Sequence, residues 1–268
     1  MLTKLLKWLF ALKIMFLGVI AFADVGKPEI STCRITVIFN NIPYAPELQT
    51  SWGFSCLVQG FGQTILFDTG GDGEILLANM KHLGIDPKVV DAVVLSHIHA
   101  DHTGGLGAFL RQNANVTVYL PCSFPHAFQQ QIKHLGADVV EINGPIRLFD
   151  KVHSTGEMGN GIKEQALILN TSKGLVVITG CAHPGIENIV RKARQYLKKD
   201  IYLIMGGFHL IGAGSSEIRK RIQNLRALDI EKVAPSHCTG GAAIDRFREV
   251  WGDNFLPGGC GAIIELYP

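Results

Sequence analysis

The sequence predicts a layered α/β fold, and three observations carry that expectation. Short β-branched or apolar runs parted by turn residues open the chain, as in an antiparallel sheet. Strands then alternate with stretches whose apolar residues recur at helical spacing. Four histidine-bearing segments each follow the carboxyl end of a strand, where layered α/β folds place their ligand crevice. With 268 residues the chain is long enough for a sizeable core. Hydrophobic residues make up 47% and charged residues 18%, which excludes a disordered chain or a coiled coil. Twenty-five basic residues against 23 acidic ones, with no basic cluster among aromatics, do not suggest a nucleic-acid partner.

The elements read in order as follows. Arg34–Phe39, Phe54–Gln59 and Thr64–Phe67 are the opening strands. Asp72 is placed to cap a helix carrying Leu76, Leu77, Met80 and Leu83 and closed by Gly84. Ala92–Leu95 is a strand that runs into SHIHADHTGG. The second half repeats this plan without repeating the sequence. Leu175–Thr179 ends in GCAHPG, and a helix follows with Ile186, Ile189, Val190, Ala193 and Leu197 on one face. Its Arg191, Lys192, Lys198 and Lys199 are expected to face solvent. Ile201–Met205 ends in GGFHL. Ser215 or Ser216 would cap a helix bearing Ile218, Ile222, Leu225 and Leu228, and a strand around Val233 ends in SHCTGG. No low-complexity linker divides the chain, so residues 24–268 are read as one domain.

The first 23 residues read as an export signal. Lys4, Lys7 and Lys13 precede or flank the apolar run IMFLGVIAFA, which ends in Ala21-Phe22-Ala23. Ten apolar residues are too few for a membrane core that needs roughly 20. An uncleaved anchor would have to bury Lys13. The mean hydropathy of +0.22 owes part of its excess to this segment. Without its three lysines, 22 basic residues remain against 23 acidic ones, so the mature chain is nearly neutral at −1. The expectation is therefore a periplasmic or secreted protein with no stable membrane insertion once cleaved. All six cysteines lie in the mature part, and no CxxC pair is present.

The strongest chemical signal is Ser96-His97-Ile98-His99-Ala100-Asp101-His102. Two histidines two apart on an extended turn can chelate one ion, and Asp101 and His102 can turn to a second. Imidazole nitrogen and carboxylate oxygen suit zinc, and also manganese or iron. Cys181 and Cys238 stand near histidines but are read as small buried hydrophobes. His82, His126, His134 and His153 lie outside the motifs and are read as surface or helix residues.

On these residues the chain resembles the metallo-β-lactamase superfamily. More narrowly it is similar to the metal-dependent hydrolase family that includes the dihydropterin-ribofuranosylaminobenzene-phosphate synthase of methanopterin biosynthesis. The matching text is LFDTGG, LLANMKHLGID, VVLSHIHADHTGGL, GLVVITGCAHPGIENIV, MGGFHL and PSHCTG, and it spans nearly all of the mature chain. The resemblance implies a four-layer αββα sandwich with metals at the edge between two sheets. His97, His99 and His183 would hold the first metal, and Asp101, His102 and His237 the second. Asp68 would support the site from behind the ligands, or else merely cap its turn. Many members bridge their metals with an aspartate after the fourth strand of this series. Here that strand ends in Gly206-Gly207-Phe208-His209, so the second site should be the weaker. His209 is then a substrate contact or a support behind the ligands, a further ligand, or a plain structural histidine, and donors from the glycine-rich turns at Gly206–Gly207 and Gly240–Gly241 could bind an anionic substrate group.

The resulting expectation is an exported hydrolase holding one or two Zn2+, with Mn2+ or Fe2+ as alternatives. The metal would lower the pKa of a water from about 15.7 towards ~7 for attack on a small, anionic ester, phosphoester or lactone. Asp101 would orient that water and could accept its proton. The synthase reaction, a true β-lactamase and a non-catalytic metal-binding module are the competing readings. Export predicts that N-terminal sequencing of the protein from its native host begins at Asp24. A soluble cytoplasmic protein that retains Met1 would contradict it.

Overall fold

A computed structural model describes residues 33–266 of the chain, so the export signal lies outside the described residues. Thirteen strands form two sheets among these residues. The first sheet opens with β1 (Cys33–Asn40), β2 (Phe54–Gly60) and β3 (Gln63–Phe67), paired antiparallel as the sequence predicts. It continues in parallel through β4 (Ala92–Val94), β5 (Thr117–Pro121) and β6 (Asp138–Ile142).

The second sheet has the same plan. Strands β7 (Ile146–Phe149), β8 (Val152–Ser154), β9 (Leu167–Thr171) and β10 (Gly174–Thr179) pair antiparallel. Then β11 (Ile201–Gly207) and β12 (Lys232–Ser236) extend it in parallel. The last strand, β13 (Ile263–Leu266), returns to the first sheet beside β1.

Alternation along the strands builds four layers. In β2, Phe54, Cys56 and Val58 face the other sheet while Leu57 faces outward. In β10, Val176 and Ile178 face inward and Leu175 and Val177 outward. Successive side chains point to opposite faces, so each strand serves two cores. The outer face of the first sheet packs on α1 (Gly73–His82), α3 (Leu106–Gln112) and α4 (His126–His134). That of the second packs on α5 (Ile186–Leu197), α6 (Ser215–Arg226) and α7 (Gly241–Trp251). The architecture is the expected αββα sandwich. A single turn of helix, α2 (Ala100–Thr103), follows β4.

Local signals explain the helix ends. The Asp72 side chain accepts from the Glu74 and Ile75 N–H groups, and Gly84 takes φ +68 just past α1. At α6 the expectation is corrected. Gly214 holds the capping position without a side-chain bond, Ser215 is already helical, and Leu228 lies beyond the last turn. His153 is also corrected. It sits buried on β8, its ring 5.6 Å from that of Tyr196. His82, His126 and His134 are exposed on helices.

Candidate metal centre

The carboxyl ends of β4, β10, β11 and β12 meet at one edge of the sandwich. They carry His97 and His99, His183, His209 and His237 into one cavity. Asp68, fully buried at the end of β3, sits behind them. Its carboxylate can only accept hydrogen bonds. Oδ1 takes the Ser96 N–H at 2.6 Å, and Oδ2 takes the Ser96 hydroxyl and His102 Nδ1, both at 2.7 Å. It does not cap its own turn; it supports the ligand loop.

These bonds fix the rings. Because the Ser96 hydroxyl donates to Asp68, it accepts from His97 Nδ1 at 2.8 Å. His97 and His102 are thus both protonated on Nδ1 and present bare Nε2 to the cavity. The side-chain amide oxygen Oδ1 of Asn41 does the same for His237, accepting from Nδ1 at 2.8 Å. His99 presents its Nδ1, 3.1 Å from His97 Nε2. The buried Nε2 atoms of His183 and His237 have no hydrogen-bond partner. His237 Nε2 is 3.3 Å from Asp101 Oδ2, close enough for an ion pair but not aligned as a hydrogen bond.

The electrostatics agree. Burial first, then the neighbouring imidazoles, push His97 far below the usual histidine range. Burial and His209 bring His183 down to about 4. Burial alone would raise Asp101, but the contact with His237 and the charges of His102 and His237 hold it down at about 2. Asp68 overcomes the burial of His102 and raises it. The neutral rings of His97 and His183 beside the ionised Asp101 are in the protonation states that metal binding requires, whereas His102, held up by Asp68, releases any Nε2 proton on binding.

Glu164 is a residue that the sequence reading missed. It is fully buried, and its carboxylate accepts from the N–H groups of Gly180, Cys181, Ala182 and His183 at 2.8–3.1 Å. Burial raises its carboxyl to about 7 against the pull of these donors. It shapes the turn after β10, where Ala182 takes φ +59. That turn corrects the reading of Cys181. Cys181 and His183 stand on either side of Ala182 and face the same cavity. Cys181 is buried as expected, but its Sγ lies 3.2 Å from His102 Nε2.

Asp101, His102, Cys181 and His237 place ligand atoms within 4.8 Å of one another, and so do His97, Cys181 and His183. The donor set fits a divalent ion. The exposed ring of His209 lies 4.5 Å from that of His183, so it borders the cavity. Hydrogen bonding to Cys238 raises its pKa. Trp52, half exposed, leans on His237 with ring centroids 4.7 Å apart and forms part of the rim.

The glycine pair at the end of β11 has a different role from the one expected. A Cβ on Gly207 would lie 2.4 Å from the Gly180 carbonyl and 2.6 Å from Cys238 Sγ. Its N–H already donates to the Gly180 carbonyl at 3.1 Å. Gly207 therefore permits close packing of the two loops and has no donor left for an anion.

A four-layer sandwich with this edge site defines a metal-dependent enzyme class. Residues 53–237 match the family model described as the metallo-beta-lactamase superfamily, and the chain belongs to that superfamily. Its members bind metal ions, typically zinc. The chain is 31% identical to the 7,8-dihydropterin-6-methyl-4-(beta-D-ribofuranosyl)-aminobenzene-5'-phosphate synthase of Methanocaldococcus jannaschii. That similarity covers 83% of this chain and 92% of the relative. The solved structure of Tm1679, a metal-dependent hydrolase of the beta-lactamase superfamily, superposes with a TM-score of 0.74 at 26% identity. It covers 88% of this chain and 100% of its own. A diphosphatase of the PhnP family shares the fold, with a TM-score of 0.60 at 14% identity over 88% of this chain and 97% of its own.

Glu164→Ala would leave four N–H donors facing an apolar space, each costing about 1–3 kcal/mol if water does not reach it. Metal affinity measured by titration should fall about 10–100-fold as His183 loses its fixed position. Affinity equal to the wild type would show that the turn keeps its path without the carboxylate.

Proposed function

We propose that the protein is a metal-dependent hydrolase of small anionic esters, phosphoesters or lactones. One observation carries the reading: buried imidazole nitrogens without partners gather with the Asp101 carboxylate where four strand ends meet at one edge of the sandwich. His97, His99 and His183 hold one metal, and Asp101, His102 and His237 the other. Zinc suits this nitrogen-rich set best, with manganese or iron as weaker candidates. When bound, the metals supply Lewis acidity and an activated water.

The chain's own residues do the rest. Asp101 stays ionised at any working pH, so its exposed edge orients the attacking water rather than storing a proton. His209 stands at the mouth, where its raised pKa favours the charged form. It pairs with the anionic part of the substrate and can pass a proton to the leaving oxygen. Asp68, Ser96 and Asn41 hold the imidazoles in register, which removes reorganisation from the reaction. The signal-like N-terminus favours an activity outside the cytoplasm.

The 31% identity to the methanogen synthase favours a second reading, a synthase-like C–N bond-forming reaction at the same site. Export argues against it, because pterin and aminobenzene-ribose phosphate substrates would be cytoplasmic.

Zinc-loaded mature protein should turn over a chromogenic phosphoester or lactone from a substrate panel, and chelation should abolish that turnover. Reaction only with a pterin and an aminobenzene-ribose phosphate would replace hydrolysis with the synthase reading.

Titration of the metal-free protein should show two unequal steps. His237→Ala should remove the weaker and largely spare the stronger; loss of both together would mean the two positions are not separable.

His209→Ala should keep its metal content near wild type. It should lower kcat/KM roughly 10- to 1000-fold, equivalent to about 1.4–4 kcal/mol of transition-state stabilisation. A fall in metal content would make His209 a ligand, and no change in either quantity would remove it from the site.

A further inference from the structure

The Cys181 sulfur stands between the two groups of candidate ligands and is used by none of the roles above. We propose that the Cys181 thiolate is a ligand shared by both metal positions, an inference that rests on the metal reading just given.

Its position is the first argument. Sγ lies within 4.8 Å of the ligand atoms of Asp101, His102 and His237, and within the same distance of those of His97 and His183. Among the described residues, Cys181 is the member common to both groups. Cys238 is different. It groups only with Cys181 and His209, and its thiol points to the Cys181 carbonyl at 3.6 Å.

The separations are the second argument. Zinc–nitrogen bonds of about 2.0–2.1 Å and zinc–sulfur bonds of about 2.3 Å, set tetrahedrally, put neighbouring ligand atoms about 3.3–3.6 Å apart. Cys181 Sγ is 3.2 Å from His102 Nε2. Asp101 Oδ2 is 3.5 Å from His102 Nε2 and 3.3 Å from His237 Nε2. His97 Nε2 is 3.1 Å from His99 Nδ1. These are the edges of coordination polyhedra to within a few tenths of an ångström.

The third argument is independent of the sulfur. His237 is 1% exposed, and its Nε2 points into the cavity without a hydrogen-bond partner, as does the buried Nε2 of His183 on the other side. Both lone pairs and the sulfur face the same space. The turn that aims Sγ is held rigidly, with the Cys181 N–H on Glu164 at 3.0 Å.

Charge and space complete the case. Three imidazoles on one side, and two with a single carboxylate on the other, leave two divalent ions poorly neutralised. The end of β11 cannot supply another anion, because Gly207 has no room for a side chain. A shared thiolate adds one negative charge between the ions and gives each position four protein ligands, so the activated water would enter as a fifth ligand. Binding replaces the S–H bond with sulfur–metal bonds, and the thiol proton leaves to solvent. The mixed nitrogen–sulfur set also favours zinc or cobalt over magnesium and manganese.

Cobalt(II) titration of the full mature protein tests this by absorption spectroscopy. Wild type and Cys238→Ser should develop a thiolate-to-cobalt charge-transfer band in the near ultraviolet. The second equivalent should shift or strengthen it, and Cys181→Ser should bind cobalt without the band. A band that survives in Cys181→Ser overturns the proposal, as does a second equivalent that leaves the band untouched. Zinc-edge X-ray absorption of the wild type needs no variant and should show sulfur at about 2.3 Å; its absence also overturns the proposal. Cobalt bound without the band defeats this inference alone, whereas no cobalt binding at all defeats the metal reading with it.

Discussion

One buried carboxylate organises the site. Asp68 touches no solvent, yet it takes three hydrogen bonds from a loop that begins 28 residues later in the chain. Through the Ser96 hydroxyl it sets the tautomer of His97, and directly it sets that of His102. Its own backbone is tied in turn. The Asp68 N–H donates to Val94 at 2.9 Å, and its carbonyl accepts the Ser55 hydroxyl at 2.8 Å. A left-handed φ of +54 turns the side chain inward. Two candidate ligands on one loop therefore depend on a strand end of another element.

The same logic repeats in the second sheet. Glu164 holds the turn that carries Cys181 and His183, as Asp68 holds the loop that carries His97 and His102. Each half of the sandwich uses a buried acid to gather backbone or ring N–H groups of a loop that ligand chemistry alone could not hold. Such acids are costly to bury unless every oxygen is satisfied, and here they are. The loops also interlock by backbone contact. The Thr69 N–H donates to the His102 carbonyl at 2.8 Å, and a Cβ on Gly105 would lie 2.2 Å from the Thr69 carbonyl. The glycines beside the histidines are there because two loops share one space.

Much of the architecture was legible in the chain. The alternation in β2 and β10, the helical spacing of α1 and α5 and the Asp72 cap are local signals, and local signals survive into the fold. The six candidate ligands were legible too, because HxHxDH on a strand end is a local chelating pattern, and the later histidines follow equivalent strand ends. The Ser215 cap failed because Gly214 satisfied the helix start by backbone conformation, which composition does not reveal. His153 failed because a lone histidine in a short strand has no pattern that tells burial from exposure.

The sequence by itself determined the order of the elements and the chelating motif, since each depends on neighbours a few residues apart, and the four layers followed from the family resemblance. Only the tertiary structure decided what stands behind and between the ligands. Asn41 reaches His237 across 196 residues, and Glu164 reaches His183 across 19. Cys181 meets His102 across 79. Such partners carry no mutual spacing rule; for Asn41 with His237 and Cys181 with His102 it is the closing of two sheets against each other that brings them together. Cys181 shows the difference most sharply. The sequence reads it as a small buried hydrophobe, and only the packing of the two loops shows that its sulfur faces His102.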